Sequence, residues 1–216
     1  MSDHATRSLY KQLDFPILQN RTYDSMLEAK ACPTGDIHLV ENLDTGLVYN
    51  RSFQADRIVY DNNYQNEQAH SPIFRLHLER VANIVSLYLG KSGLVEIGCG
   101  KGYFLEMLLE AGFDIIGYDP AYEGNNRRIV PRFFEPGQSV GSCGLILRHV
   151  LEHIQGPYDF LEKLREANGG RGNIYIEVPC LDWICEHKAW FDIFYEHVNY
   201  FRLADFERMF GLSLIH

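Results

Sequence analysis

A glycine-rich segment near the middle of the chain carries the clearest chemical pattern in the sequence. It reads EIGCGKGY from Glu96 to Tyr103, after an apolar run that predicts a buried strand at 93–97. Glycines at Gly98, Gly100 and Gly102 let the backbone approach a ligand closely, because no Cβ stands in the way. The spacing Gly-x-Gly-x-Gly differs from the Gly-x-Gly-x-x-Gly that seats a pyrophosphate on a helix N-terminus. The segment therefore predicts a ligand loop of another kind.

Two carboxylates accompany this loop. Glu96 directly precedes the glycines, and Asp119 ends the next strand pattern, FDIIGYD. Glu96 would repel a pyrophosphate but suits a ligand with an ammonium and a sulfonium, while Asp119 can accept hydrogen bonds from both hydroxyls of a ribose. The pattern predicts S-adenosylmethionine (SAM), held by Glu96, Gly98, Cys99, Gly100, Gly102, Tyr103, Asp119 and Pro120. The alternative, in which Glu96 solvates a strand end and Asp119 caps a turn, stays open.

A second polar group follows a later strand pattern, in the segment LILRHVLEHI. Arg148 and His149 fall at the carboxyl end of that strand, where open α/β sheets bind ligands, and we assign both to the cofactor side. His153 is a candidate for the substrate side. His149 and His153 are four residues apart, but the zinc-protease order His-Glu-x-x-His is absent, so no metal site is predicted. A role in capping the turn is an open alternative for these side chains.

A Glu-His pair lies near the end of the chain, in FYEHVNYF. Methyl transfer to carbon or to a hydroxyl requires a proton to be removed from the acceptor, and imidazole is the side chain best suited to accept one near neutral pH. His197 is therefore the candidate base, with Glu196 orienting or replacing it. The alternative is that His197 packs among its aromatic neighbours Phe191, Phe194, Tyr195, Tyr200 and Phe201.

The elements that must position these residues alternate between strand and helix. Apolar periodicity with a Ser-Pro start predicts a helix from Ser71, with Ile73, Leu76, Leu78, Val81, Ile84 and Leu87 on its apolar face. Later strands are expected at RIVPRFF, GLILRHV and NIYIEVP, and helices at YFLEMLLEAG, PYDFLEKLREA and LADFERMF. This order predicts an α/β fold, a Rossmann-like, doubly wound, mostly parallel sheet over residues 71–216, preceded by a small irregular or partly β module at 1–70.

Composition narrows the class of substrate. The 216 residues carry a formal net charge of -9, which argues against nucleic acid as the partner. The sequence shows no apolar run long enough to span a membrane and no signal-peptide pattern, so a cytoplasmic protein with a small-molecule substrate is expected. Five scattered cysteines form no Cys-x-x-Cys pair, which predicts reduced thiols.

Taken together, VEIGCGKG, GYDP, LILRHVLEHI, YIEVPC and FYEHVNYF resemble the sugar C-methyltransferase family of class I SAM-dependent methyltransferases. The resemblance implies C-methylation of a nucleotide-linked keto-deoxysugar, in sugar metabolism, with Glu196 and His197 as the base. It also places Tyr64 and His70 on the substrate side. Asn42 and Thr45 stand where the family has its second Cys-x-x-Cys pair, so a zinc-free module is expected. The resemblance further implies a last strand and a C-terminal domain, which the predicted elements lack.

Three other functions stay open at this point. The chain could bind SAM without catalysis, as a regulatory module, or it could methylate oxygen or nitrogen of another metabolite, since one fold hosts many chemistries. An NAD-dependent sugar-nucleotide enzyme shares the sheet but not the glycine spacing. Trp183 and Trp190 could form either a lid or the face of a homodimer.

Overall fold

Strands and helices follow one another through residues 5–58, 71–135 and 144–210, the ranges that the computed structural model describes. The strands are β1 Thr6–Pro16, β2 Thr34–Asn42, β3 Val48–Asn50, β4 Leu94–Ile97, β5 Ile115–Tyr118, β6 Ile129–Val130, β7 Leu145–Arg148, β8 Ile174–Glu177 and β9 Asn199–Tyr200. The α-helices are α1 Met26–Lys30, α2 Pro72–Tyr88, α3 Tyr103–Glu110, α4 Pro157–Ala167, α5 Leu181–His187 and α6 Leu203–Phe210. Short 3₁₀ turns occupy Ala55–Arg57, Leu151–His153 and Trp190–Asp192.

The chain divides into two compact units. The first comprises Met1–Asn66, Glu152–Gln155 and Val178–His216, and the second comprises Glu67–Leu151 and Gly156–Glu177. This division differs from the predicted boundary at residue 70, because β9 and the helices α5 and α6 group with the N-terminal residues. The assignment of 71–216 to one functional domain stays a prediction.

The second unit contains a parallel five-stranded sheet in the order β6-β5-β4-β7-β8. Helix α3 connects β4 to β5, and helix α4 connects β7 to β8. All four residues of β4 are buried, as expected of a central strand covered on both faces. The predicted Rossmann-like α/β arrangement is confirmed. The strand order reverses between β4 and β7, which is the point where open parallel sheets bind ligands.

Helix α2 begins where the sequence predicts. Ser71 accepts a hydrogen bond from the backbone N–H of Phe74, and Pro72 opens the first turn. The predicted helix is present, but only some of the apolar residues that define its spacing are buried. Leu78 and Val81 are buried, together with Val85, but the exposed side chains are Ile73, Leu76, Ile84 and Leu87. These four lie on the adjacent arc of the helix, so the apolar surface of α2 is wider than the part that packs into the core.

The first unit is more regular than the sequence predicts. Strands β1, β2, β3 and β9 form an antiparallel sheet in that order, so a strand from near the end of the chain completes it. Asn42 ends β2, and its side-chain oxygen accepts hydrogen bonds from the backbone N–H groups of Asp44 and Thr45 at 2.8 and 3.0 Å. Asn42 thus caps the turn into β3 at the position where the resembling family has a cysteine.

The helices at 157–167 and 203–210 have the predicted bounds, whereas the strand expected at RIVPRFF extends over Ile129–Val130 alone. The last predicted run, at 212–216, lies outside the described residues. Among the helices that the structure describes, none has the length and apolarity to cross a bilayer.

Two leucines of α2 provide a test of its packing. Leu78 is 1% exposed and Leu87 is 74% exposed. We expect Leu78→Ala to lower the free energy of unfolding by about 2–5 kcal/mol, because it leaves a cavity in the core. Leu87→Ala should change it by less than about 0.5 kcal/mol. Urea unfolding followed by circular dichroism measures both, and equal losses would contradict the observed packing.

Candidate functional site

The glycine loop connects β4 to α3 and has the left-handed backbone that its glycines permit. Gly98 has φ +69°, and a Cβ at this position would lie 2.4 Å from a methyl carbon of Val150, so packing and backbone both require glycine. Gly100 has φ +57°, and a Cβ there would meet no atom within 4 Å. The space beside Gly100 is therefore open to a ligand that approaches the backbone.

Asp119 follows β5 and fixes this loop from the neighbouring strand. One of its carboxylate oxygens accepts a hydrogen bond from the backbone N–H of Gly100, and the other accepts one from Ala121, both at 2.8 Å. The turn cap considered as an alternative is thus real, but the same carboxylate also contacts the loop. Each oxygen has a further lone pair, so Asp119 can still accept hydrogen bonds from a ligand.

Glu96 is buried inside β4 and does not solvate the end of a strand. Its side chain is 2% exposed, and Oε2 has no hydrogen-bond partner among the described residues. Burial raises the pKa of Glu96 to about 8; the cation of Arg148 opposes this shift, and the carboxylates of Asp119 and Glu177 add to it. At neutral pH the carboxyl group is therefore mostly protonated, despite the influence of Arg148.

Arg148 and Glu177 form the centre of a partly buried ionic cluster at the ends of β7 and β8. The Nε–H of Arg148 donates to Glu177 at 2.8 Å, and its guanidinium lies 4.6 Å from the ring centroid of Phe104. His77 bonds the other oxygen of Glu177 at 2.6 Å, and His149 lies 3.4 Å from that same oxygen. Burial alone would raise the pKa of Glu177, but the contacts with His149 and Arg148 outweigh it and hold the pKa well below its usual range.

The remaining residues predicted for the cofactor lie around the loop in the second unit. Tyr103 begins α3 and is 41% exposed, and Pro120 is exposed directly after Asp119. Cys99 is buried in the hydrophobic core of this unit, and burial raises the pKa of its thiol. This thiol is therefore neutral, and it packs against protein. The backbone of Cys99 remains part of the ligand loop.

The predicted base lies in the first unit, together with His153. Glu196 is buried, and its Oε2 accepts a hydrogen bond from the backbone N–H of Gln19 at 2.8 Å, while Oε1 has no partner among the described residues. The ring of His197 lies 3.8 Å from that of Phe194 and 5.0 Å from that of His153, centroid to centroid. His153 Nδ1 donates to the backbone oxygen of Glu196 at 2.9 Å. Aromatic packing of His197 is therefore present, and a second histidine adjoins it.

The sequence assigned His149 to the cofactor side and His153 to the substrate side, and these assignments stay predictions; the structure places the two residues in different units. Tyr64 and His70 lie outside the described residues, so their assignment to the substrate side stays a prediction. The sequence analysis missed Glu177 and His77. A signal was available for each: an acid at the end of a strand pattern in NIYIEVP, and a polar residue within the apolar periodicity of α2.

The raised pKa of Glu96 predicts how stability depends on pH. A carboxyl whose pKa rises from 4.5 to about 8 on folding stabilises the protein fully below pH 4.5, and that stabilisation is lost as the pH rises to about 8. Glu96→Gln stays neutral throughout. Its unfolding free energy relative to wild type should increase by about 1.4 kcal/mol per pH unit across that window and level off above it. Urea unfolding at several pH values measures the difference, and a flat difference would mean that folded Glu96 is ionised.

Comparison with known proteins bears on the whole site. Residues 66–212 match a family model described as a methyltransferase domain. The C-methyltransferase NovU from Streptomyces niveus is 27% identical over 160 residues, which cover 64% of this chain and 38% of NovU. The match thus spans less than half the length of that relative. The family model covers more than half of the chain, includes the glycine loop, and agrees with the parallel sheet. The chain therefore belongs to the methyltransferase domain family, with the class I fold of SAM-dependent enzymes.

Proposed function

We propose that this chain binds SAM at the glycine loop of the second unit and supports transfer of its methyl group to a small molecule. The observation that carries the proposal is the buried carboxyl of Glu96, whose Oε2 has no partner among the described residues beside a loop of left-handed glycines. A buried polar atom without a partner is costly, and a ligand that supplies a cationic donor would remove that cost. SAM carries one cationic donor, its ammonium group, and a second positive charge on the sulfonium sulfur, which interacts with a carboxylate through charge alone.

The other residues of the loop fit the same ligand. Asp119 has the lone pairs to accept bonds from ribose hydroxyls, and the space beside Gly100 admits a close approach to the backbone. When bound, SAM supplies an electrophilic methyl group on a sulfonium. The protein then has to align the acceptor with that methyl group and exclude water, and such alignment provides much of the rate of a displacement reaction.

For the acceptor, the proposal is C-methylation of a nucleotide-linked keto-deoxysugar. Its support is the resemblance of the segment 196–201 to sugar C-methyltransferases and the similarity to NovU, which is described as a C-methyltransferase. A carbon beside a keto group becomes a nucleophile when it loses a proton to a base. The new carbon–carbon bond then forms as the methyl–sulfur bond breaks, and the sulfur keeps that electron pair.

The base proposed for this step is the pair Glu196 and His197. Both side chains are buried, and Glu196 is oriented by the backbone N–H of Gln19. Burial protects a proton acceptor from bulk water, and orientation aims it, which are the two conditions that such a base needs. His153 adjoins His197 and is the proposed contact to the substrate. Methylation of oxygen or nitrogen would use the same proton acceptor, and acceptor screening separates the three.

Ligand titration tests the proposed cofactor. Calorimetric titration should show that SAM and S-adenosylhomocysteine bind, and that NAD does not. Asp119→Ala should weaken binding of both adenosyl ligands at least tenfold, which corresponds to about 1.4 kcal/mol, because the ribose loses a charged acceptor. Asp114→Ala is a matched control, since Asp114 pairs with Arg128 on an exposed surface. Binding of NAD in preference to SAM would contradict the proposal.

Hydrogen exchange at the acceptor carbon tests the proposed base without requiring methyl transfer. With S-adenosylhomocysteine and a nucleotide-linked keto-deoxysugar in D₂O, NMR should show exchange of the carbon-bound hydrogen beside the keto group. His197→Gln and Glu196→Gln should abolish both exchange and methyl transfer, while SAM affinity stays within a few fold. The exposed His187→Gln is the control. Exchange at the wild-type rate in both variants would refute this base, and SAM binding without turnover of any acceptor would favour a binding module.

A further inference from the structure

Three potential metal ligands from two separate stretches of the sequence converge within the first unit. The ligand atoms of Glu152, His153 and His197 all lie within 4.8 Å of one another. Glu152 is 1% exposed and His197 is 6% exposed, whereas His153 is half-buried. Two imidazoles and one carboxylate form a ligand set that occurs in zinc sites and in iron and other transition-metal sites.

The spacing suits a small divalent ion. Bonds of about 2.0–2.2 Å from zinc to nitrogen and oxygen place two ligand atoms of a tetrahedral site about 3.4 Å apart. Ligand atoms that already lie within 4.8 Å of one another reach that spacing by small rotations of the side chains. The burial of Glu152 and His197 also keeps competing water away from two of the three ligands.

The hydrogen bond of His153 fixes which of its nitrogens is available. A backbone carbonyl can only accept, so the contact of Nδ1 with the oxygen of Glu196, at 2.9 Å, places the ring proton on Nδ1. The lone pair is then on Nε2. Metal-binding histidines are oriented in this way, with the second ring nitrogen donating to a carbonyl or a carboxylate.

One backbone and one side-chain hydrogen bond hold the two segments of the cluster together. The backbone N–H of Val198 donates to the oxygen of Glu152 at 2.8 Å, and the side-chain amide of Asn199 donates to the oxygen of Ile154 at 2.7 Å. These contacts flank the three ligands on both segments. The geometry is therefore built by the fold, and an entering ion would meet ligands already close to their bound positions.

We propose that Glu152, His153 and His197 form a binding site for one divalent transition-metal ion, with Zn²⁺ as the best-suited ion, and that at least one coordination position remains open to water or an exogenous ligand. The site is distinct from the cysteine module of the resembling family, which involves none of these residues. A lone pair of His197 that binds a metal cannot accept a proton. The metal-loaded protein is then unable to use His197 as a base, a consequence that rests on the proposed function.

The metal alone, with no cofactor or acceptor, tests the site. The chain is treated with chelator and then titrated with Zn²⁺ against a chromogenic chelator, and separately with Co²⁺, whose visible absorption reports the number of ligands. We expect one ion per chain and, for His153→Gln, His197→Gln and Glu152→Gln, at least tenfold weaker binding with loss of the Co²⁺ band. His187→Gln is the matched control, because His187 Nδ1 likewise contacts a backbone carbonyl, at 3.1 Å, but lies outside the cluster.

Two results would overturn the site. One is the absence of a stoichiometric ion in the folded wild-type chain. The other is a stoichiometric ion that all three cluster variants still bind. Loss of that ion from His187→Gln, or after alkylation of the exposed Cys180 and Cys185, would then locate it elsewhere in the chain. Circular dichroism checks folding, and His153→Gln decides the matter if a buried variant unfolds. SAM titration of the same samples separates this outcome from failure of the proposed function.

Discussion

The site at the carboxyl edge of the parallel sheet depends on one partly buried guanidinium. Arg148 ends β7, donates to Glu177 at the end of β8, packs on the ring of Phe104 and acts electrostatically on Glu96 in β4. A cation that is largely removed from water requires an anion beside it, but one cation cannot fully compensate two carboxylates, one of them buried and the other partly buried. Glu177 receives the direct hydrogen bond and is ionised, while Glu96 retains its proton near neutral pH. The sheet thus contains one protonated carboxyl group, that of Glu96, beside the glycine loop.

The buried carboxyl group of Glu96 explains why a cationic cofactor would suit the loop. An entering ammonium or sulfonium supplies the second positive charge, so that Glu96 can ionise without an uncompensated buried charge. Asp119 contributes differently, because it is already engaged with the N–H of Gly100 and therefore fixes the loop before any ligand arrives. Asp119 thus fixes the conformation of the loop, whereas Glu96 can compensate the charge of a cationic ligand. A pyrophosphate would lie beside the carboxyl groups of Glu96 and Asp119, which cannot compensate its negative charge. The acids and the glycine spacing therefore both argue against a dinucleotide ligand.

Local signals in the sequence predicted local structure well. The Ser71 cap, the position of the glycines between β4 and α3, and the helix at 157–167 each depend on residues that are close in the sequence, and these three structural predictions are confirmed. Pairings between distant segments were beyond such signals. The strand β9 joins β3 from the other end of the chain, and Glu177 reaches His77 across a hundred residues of sequence. The buried arc of α2 also depends on its packing partners, which apolar periodicity does not identify.

The histidines show the same limit and its chemical consequence. The sequence assigned His149 to the cofactor side and His153 to the substrate side, but it did not indicate that His153 lies beside His197. The backbone N–H of Val198 and the side-chain amide of Asn199 hold these two segments together. Once two imidazoles and Glu152 converge, the cluster can hold either a proton or a metal ion, because both use the same lone pairs. A proton is small and mobile, whereas a metal ion engages all three ligands at once. The proposed base and the proposed metal site therefore share His197, and a metal ion bound there would compete with the proton that His197 is proposed to accept.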